Sequence, residues 1–178
     1  MDKMKNLANI YTEYVDLLFI YGTNLGFDRE IVKDSIHDIF VKIALENNIL
    51  SRVDNIKFYL LKSLKNRLFD IHRSVRKELS LDKINPEDDM QFIIDVNVEN
   101  LIIEEEDKTQ IKERIQNMLN ILTDRQREII YLRYVQEYDY EQISQLLEIS
   151  VHGCRKLMSR AILTLREKFI CLMSFLII

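Results

Sequence analysis

YEQISQLLEISVHGCRKLMSRAILTLR, residues 140–166, is the stretch that decides the fold. Ile143, Leu146 and Leu147 recur at helical spacing, and the stripe breaks at Glu148-Ile149. Ser150 then stands as an N-cap for a longer helix, because its hydroxyl can accept an amide hydrogen of the first turn. A short helix, a tight turn and a longer capped helix make the helix-turn-helix layout. At about 100° per residue, Cys154, Leu157, Met158, Ala161 and Leu165 share one face of the second helix. His152, Arg155, Lys156 and Ser159 share the opposite face near its start. A recognition helix needs this: an apolar back for its scaffold and donors for the major groove. Arg155 is the candidate base reader, since a guanidinium can bridge two acceptors of guanine. Lys156 and Arg160 are candidate phosphate contacts. The competing reading is a solvated basic helix face.

Working outward, Ile111, Ile115, Met118, Leu119 and Leu122 predict a helix over 111–122. Thr123 is an N-cap for a helix over Asp124–Gln136, whose core side is Ile129, Ile130, Leu132 and Tyr134. Near the start of the chain, Leu7, Ile10, Tyr11, Tyr14, Leu17, Leu18, Tyr21 and Leu25 form one apolar stripe. Gly22 and Gly26 mark where that helix weakens and ends. Asp28 is a plausible cap for a second helix burying Val32, Ile36, Ile39, Phe40 and Ile43. After a polar loop, a third helix from Ile56 to about Lys77 buries Leu61, Leu64, Leu68, Ile71 and Val75. Only 3 glycines and 1 proline occur in 178 residues, too few for a turn-rich β fold, so the class is all-α.

The formal net charge of −4 hides its distribution. Residues 1–77 hold 13 basic and 10 acidic side chains, and residues 108–178 hold 11 and 8. Between them, residues 78–107 hold 1 basic and 11 acidic, together with Pro86. Two mildly basic blocks thus flank an acidic segment that reads as a linker, giving domains over 1–77 and 108–178. On the third helix, Lys62, Lys65, Asn66, Phe69, Arg73 and Arg76 follow steps of three and four opposite the leucine stripe. Cations there can meet phosphates while a ring stacks on an unpaired base. Two such faces in one chain suggest two-point contact with DNA.

Other chemistry finds little support. His37, His72 and His152 are far apart and stand in no metal-ligand spacing, and neither a nucleophile motif nor a glycine-rich phosphate loop is present. No enzyme, metal or cofactor is expected. Cys154 and Cys171 lie in apolar company and read as buried hydrophobes of a reducing compartment. With no signal-peptide pattern and no apolar run of about 18 residues, the expected location is cytoplasmic, with no membrane insertion. The tail, residues 169–178, carries no charge. Either it extends the last helix onto Ile115, Met118, Leu119 and Leu122, or it is a docking surface.

Three segments in this order resemble the sigma-70 family of transcription factors, in its extracytoplasmic-function (ECF) type. DSIHDIFVKIALEN (Asp34 to Asn47) is similar to the segment that docks on the polymerase clamp helices. FYLLKSLKNRLFDIHR (Phe58 to Arg73) resembles the helix that opens and reads the −10 element. LTDRQREIIYLRYVQEYDYEQISQLLEIS (Leu122 to Ser150), continued by SRAILTLR (Ser159 to Arg166), resembles the region that reads the −35 element. The resemblance implies a sigma factor whose partners are core RNA polymerase, promoter DNA and an anti-sigma factor. It places Asp38 and Phe40 at polymerase-binding positions, and Asn66 and Asp70 at positions of the −10 helix. The loop from Asn47 to Asn55 would capture a flipped base, and the acidic linker would thread the polymerase channel. His37, Glu148 and Leu157 depart from common family residues. Glu148 replaces a frequent turn glycine and is expected to turn left-handed, at about 1 kcal/mol. Gly153 costs a similar amount against alanine and lets the backbone approach DNA. Two alternatives stand beside this reading: a helix-turn-helix regulator that does not recruit polymerase, and a helical protein-binding adaptor.

Overall fold

The computed structural model describes residues 2–46, 50–78, 91–94 and 105–175, and for residues 2–6, 51, 76–78, 105–106 and 169–175 the backbone alone. Among the described residues there are seven α-helices and no strand: α1 Asp2–Asn24, α2 Arg29–Leu45, α3 Ile56–Glu78, α4 Glu105–Asn120, α5 Asp124–Ile130, α6 Tyr140–Leu147 and α7 Val151–Phe175. A 3-10 turn at Leu50–Arg52 precedes α3, and α5 runs on into a π-helical turn at Tyr131–Val135. Contacts divide the chain into two units, Met1–Gln91 and Phe92–Ile178.

In the first unit α1, α2 and α3 pack on one another pairwise. Asp28 caps α2 as expected, its carboxylate accepting from the Glu30 N–H at 2.8 Å. Gly22 lies inside α1, where a Cβ would stand 2.6 Å from Cγ1 of Val32. The glycine expected to weaken the helix therefore lets α1 and α2 cross closely. Gly26, at φ +83°, makes the turn that follows. On α3 the buried side chains are Leu60, Leu61, Leu64, Lys65, Leu68 and Phe69, two adjacent rows rather than one stripe. The face is wide because α1 and α2 both lie against it. Val75, expected in the core, is 49% exposed beyond that double contact.

In the second unit α5 and α6 pack on α7 around Ile129, Leu132, Ile143, Leu146, Cys154 and Ala161. The helix expected to run evenly to Gln136 widens instead, with the Gln136 N–H bonding the Tyr131 carbonyl five residues back at 3.0 Å. That extra residue in the turn shifts the side-chain register. Tyr131 is buried, while Tyr134, expected on the core side, is 63% exposed. Phe92, from the segment read as linker, is also buried in this unit. Its N–H donates to Asp124 Oδ1 at 2.8 Å, its carbonyl accepts from Arg127 Nε at 2.6 Å, and its ring lies 5.6 Å from that of Tyr131. Arg127 ties the corner further by donating to the Leu122 carbonyl at 2.7 Å and pairing with Asp124.

No described helix is long and apolar enough to cross a membrane. The α7 backbone stays helical to Phe175, but the side chains of the apolar tail, Cys171 among them, lie outside the described residues. So do Asn47, Pro86, Glu104 and the side chain of Arg76.

Candidate nucleic-acid interface

The second unit presents its surface through a tightly capped pair of helices. Asp139 starts α6 with a capping box: it accepts from the Gln142 N–H at 2.8 Å, and Gln142 accepts from the Asp139 N–H at 3.1 Å. α6 ends at Glu148, whose φ of 52° is the left-handed turn expected there. Ser150 accepts from the Gly153 N–H at 3.0 Å and so caps α7. A Cβ on Gly153 would come within 3.3 Å of that hydroxyl, so the glycine also leaves room for the cap.

From this start α7 buries Cys154, Met158 and Ala161 and half-buries Leu157 and Leu165. Burial raises the pKa of the Cys154 thiol, which disfavours the reactive thiolate. His152, Arg155, Lys156, Ser159 and Arg160 are all exposed, brought together along one side of a single rigid helix. Two partners of this face escaped the sequence reading. The guanidinium carbons of Arg155 and Arg133 stand 5.7 and 5.4 Å from the ring centre of Tyr140, the first residue of α6. An aromatic residue at the start of the first motif helix is the one sequence signal that pointed there.

The α3 face needs correction. Asn66, Asp70 and Arg73 are exposed, with Arg73 paired to Asp70 at 3.3 Å. Lys62 is half-buried, its ammonium 5.9 Å from the Phe58 ring. Phe69 and Lys65, expected on the same open face, are only 6% and 4% exposed. The Phe69 ring meets Phe27 edge-on at 5.9 Å, and the Lys65 ammonium lies 5.4 Å from the Phe69 ring. A ring so covered cannot stack on an unpaired base. The reason is the second row of contacts that α3 makes.

Phe40 is corrected likewise. It is 6% exposed and meets Tyr11 edge-on at 4.9 Å, so it is a core residue and offers no ring to a partner. Asp38 is half-exposed and pairs with Arg67 of α3 at 2.8 Å. With Asn66 and Asp70 these two line a groove of about 390 Å³ between α2 and α3. Arg67 was not among the sequence candidates, since only the packing of α2 on α3 sets it against Asp38. In the preceding loop, Asn55 caps α3 by accepting from the Phe58 N–H at 2.9 Å, so its carbonyl is already engaged. Among the described residues no cluster of three His, Cys, Asp or Glu side chains could hold a metal.

Residues 112–165 match the family model described as sigma-70, region 4. The chain is similar to the ECF RNA polymerase sigma factor SigM of Bacillus subtilis (strain 168), 22% identical over 155 residues that cover 87% of this chain and 90% of that protein. In fold it is similar to the sigma factor RpoE from Bartonella quintana, solved with the anti-sigma factor NepR, at a TM-score of 0.61 and 18% identity, covering 92% of this chain and 96% of that one. It is also similar to CnrH, solved with the cytosolic domain of CnrY, at a TM-score of 0.53 and 17% identity, covering 94% of this chain and 90% of that one. The region 4 match falls on the helices that carry the exposed donors, and the likeness of sequence and fold continues through the first unit. The stretch 112–165 thus matches sigma-70 region 4, and most of the chain is similar to a sigma factor of the extracytoplasmic-function type.

Proposed function

We propose that this chain binds core RNA polymerase and directs it to promoters, with α7 reading the −35 element and the outer side of α3 meeting the −10 element. It performs no chemistry itself and works in the cytoplasm. The observation that carries the reading is the row of exposed donors on α7, backed by buried Cys154, Met158 and Ala161. A helix with that cross-section can enter a major groove while staying seated on its scaffold. Arg155 is assigned to a base edge, Lys156 and Arg160 to phosphates, and His152 and Ser159 to the flanks of the contact. In the first unit Lys62, Asn66, Asp70 and Arg73 are assigned to the −10 element, and Asp38 to the polymerase. The acidic stretch 78–107 is assigned to the polymerase channel, where its charge suits a path otherwise lined for nucleic acid. An anti-sigma factor is the regulatory partner this reading implies, as the sigma factor RpoE that the chain resembles in fold was solved with the anti-sigma factor NepR.

The test is reconstitution. The purified chain, mixed with core polymerase, is expected to co-elute on gel filtration and to confer promoter-selective transcription. DNA binding without polymerase binding would point to a plain helix-turn-helix regulator, and neither activity would point to a protein-binding adaptor.

A further inference from the structure

We infer that Tyr140 is a positioning residue for Arg155, and that its ring sets discrimination at the −35 element without touching a base itself. The inference rests on the assignment of Arg155 to a base edge and adds the part of the protein that aims it.

Arg155 is exposed on α7, and a long, solvated side chain must give up rotamer freedom to hold a bidentate contact. Its guanidinium carbon stands 5.7 Å from the centre of the Tyr140 ring, within the range at which a cation is drawn to an aromatic face. The ring has a fixed seat. Tyr140 is half-buried and follows directly on Asp139, whose capping box locks the start of α6. A second guanidinium, that of Arg133, stands 5.4 Å from the same ring and is itself tethered, donating to the Tyr138 carbonyl at 2.8 Å. Arg155 is thus the exposed member of a set whose other two members are anchored on the turn from Tyr131 to Tyr140.

Two like charges at one ring repel each other, so the contact does not bury Arg155. It narrows the rotamers of Arg155 and leaves the guanidinium open to the groove. Losing a contact of this kind should reduce discrimination at the base that Arg155 reads by about 3- to 10-fold. Binding to all other positions, and the salt dependence, should stay as they are, because no charge is removed.

Holoenzyme assembled from the full chain and core polymerase is selected on a duplex library randomised over both promoter elements. Tyr140→Leu should flatten the preference at the same single position that Arg155→Ala flattens, and should add nothing in the Arg155→Ala background. Tyr140→Phe and Tyr140→Trp should keep the preference, since each retains a ring face. In the free chain, nitrogen relaxation of the Arg155 Nε–H should report a guanidinium more mobile in Tyr140→Leu than in wild type. If Arg155→Ala flattens one position and Tyr140→Leu does not, positioning is overturned and base reading stands. If neither flattens any position, both are overturned. A Tyr140→Phe as impaired as Tyr140→Leu would make the hydroxyl the active group and overturn the role of the ring. Should Tyr140→Leu unfold the second unit, the relaxation comparison is made on Tyr140→Gln, and equal Arg155 mobility there overturns the inference.

Discussion

Gly22 and Asp38 show how differently single residues serve the first unit. At Gly22 the constraint is space, with Val32 methyls 2.6 and 2.9 Å from where a Cβ would be. Gly22→Ala would ordinarily favour a helix, yet here it should destabilise the unit by about 1–3 kcal/mol through overpacking. Combining it with Val32→Ala should recover part of the loss in a urea melt. A Gly22→Ala chain that melts like wild type would show that α1 and α2 separate freely. At Asp38 the constraint is not stability, because its pair with Arg67 is half-exposed and such pairs contribute about 0–1 kcal/mol. Asp38→Ala should leave the melt unchanged and weaken binding to core polymerase, read by titration of labelled polymerase. Unchanged affinity would remove Asp38 from the proposed contact.

At the scale of the element, α7 divides its charges between two tasks that binding data can separate. Arg155→Ala should lose about 1–3 kcal/mol of discrimination at one position of the −35 element, with other positions little affected. Lys156→Ala should weaken binding to every sequence alike and reduce the salt slope by about one unit. Both follow from one exposed side of a helix carrying one cation able to chelate a base edge and another that is a point charge. An equal, sequence-independent loss in the two variants would make Arg155 a second phosphate contact. The cap that starts α7 and the turn that ends α6 were legible in advance, because Ser150 and Glu148 act on backbone groups within a few residues of themselves, whereas the Asp139 cap of α6 came only with the structure.

For the whole molecule, the question is where the second unit begins. The acidic segment reads as linker up to residue 107, yet α4 is already helical at Glu105 and Phe92 is buried against Tyr131. Phe92→Ala should therefore destabilise the second unit by about 3–5 kcal/mol, as for a buried core ring. Amide exchange in α5 and α7 should quicken while that of α1 to α3 stays unchanged. Wild-type protection throughout would return Phe92 to the linker.

What the sequence by itself determined is what short-range chemistry controls: the all-α class, the order of the helices, the caps at Asp28, Thr123 and Ser150, the left-handed Glu148 and the donor side of α7. Each is set by periodicity or by a side chain bonding its own neighbourhood. Only the tertiary structure decided which candidates stay accessible. Lys65, Phe69 and Phe40 are covered because α3 is packed on two sides and Tyr11 closes over α2. Arg67 meets Asp38, and Arg155 meets Tyr140, only once separate helices are brought together. Tyr134 turns outward because the π-helical turn changes the register that a 3.6-residue period assumes. A helix's own spacing says which side chains share a face, but burial depends on how many neighbours that face receives, and those neighbours lie far away in the chain.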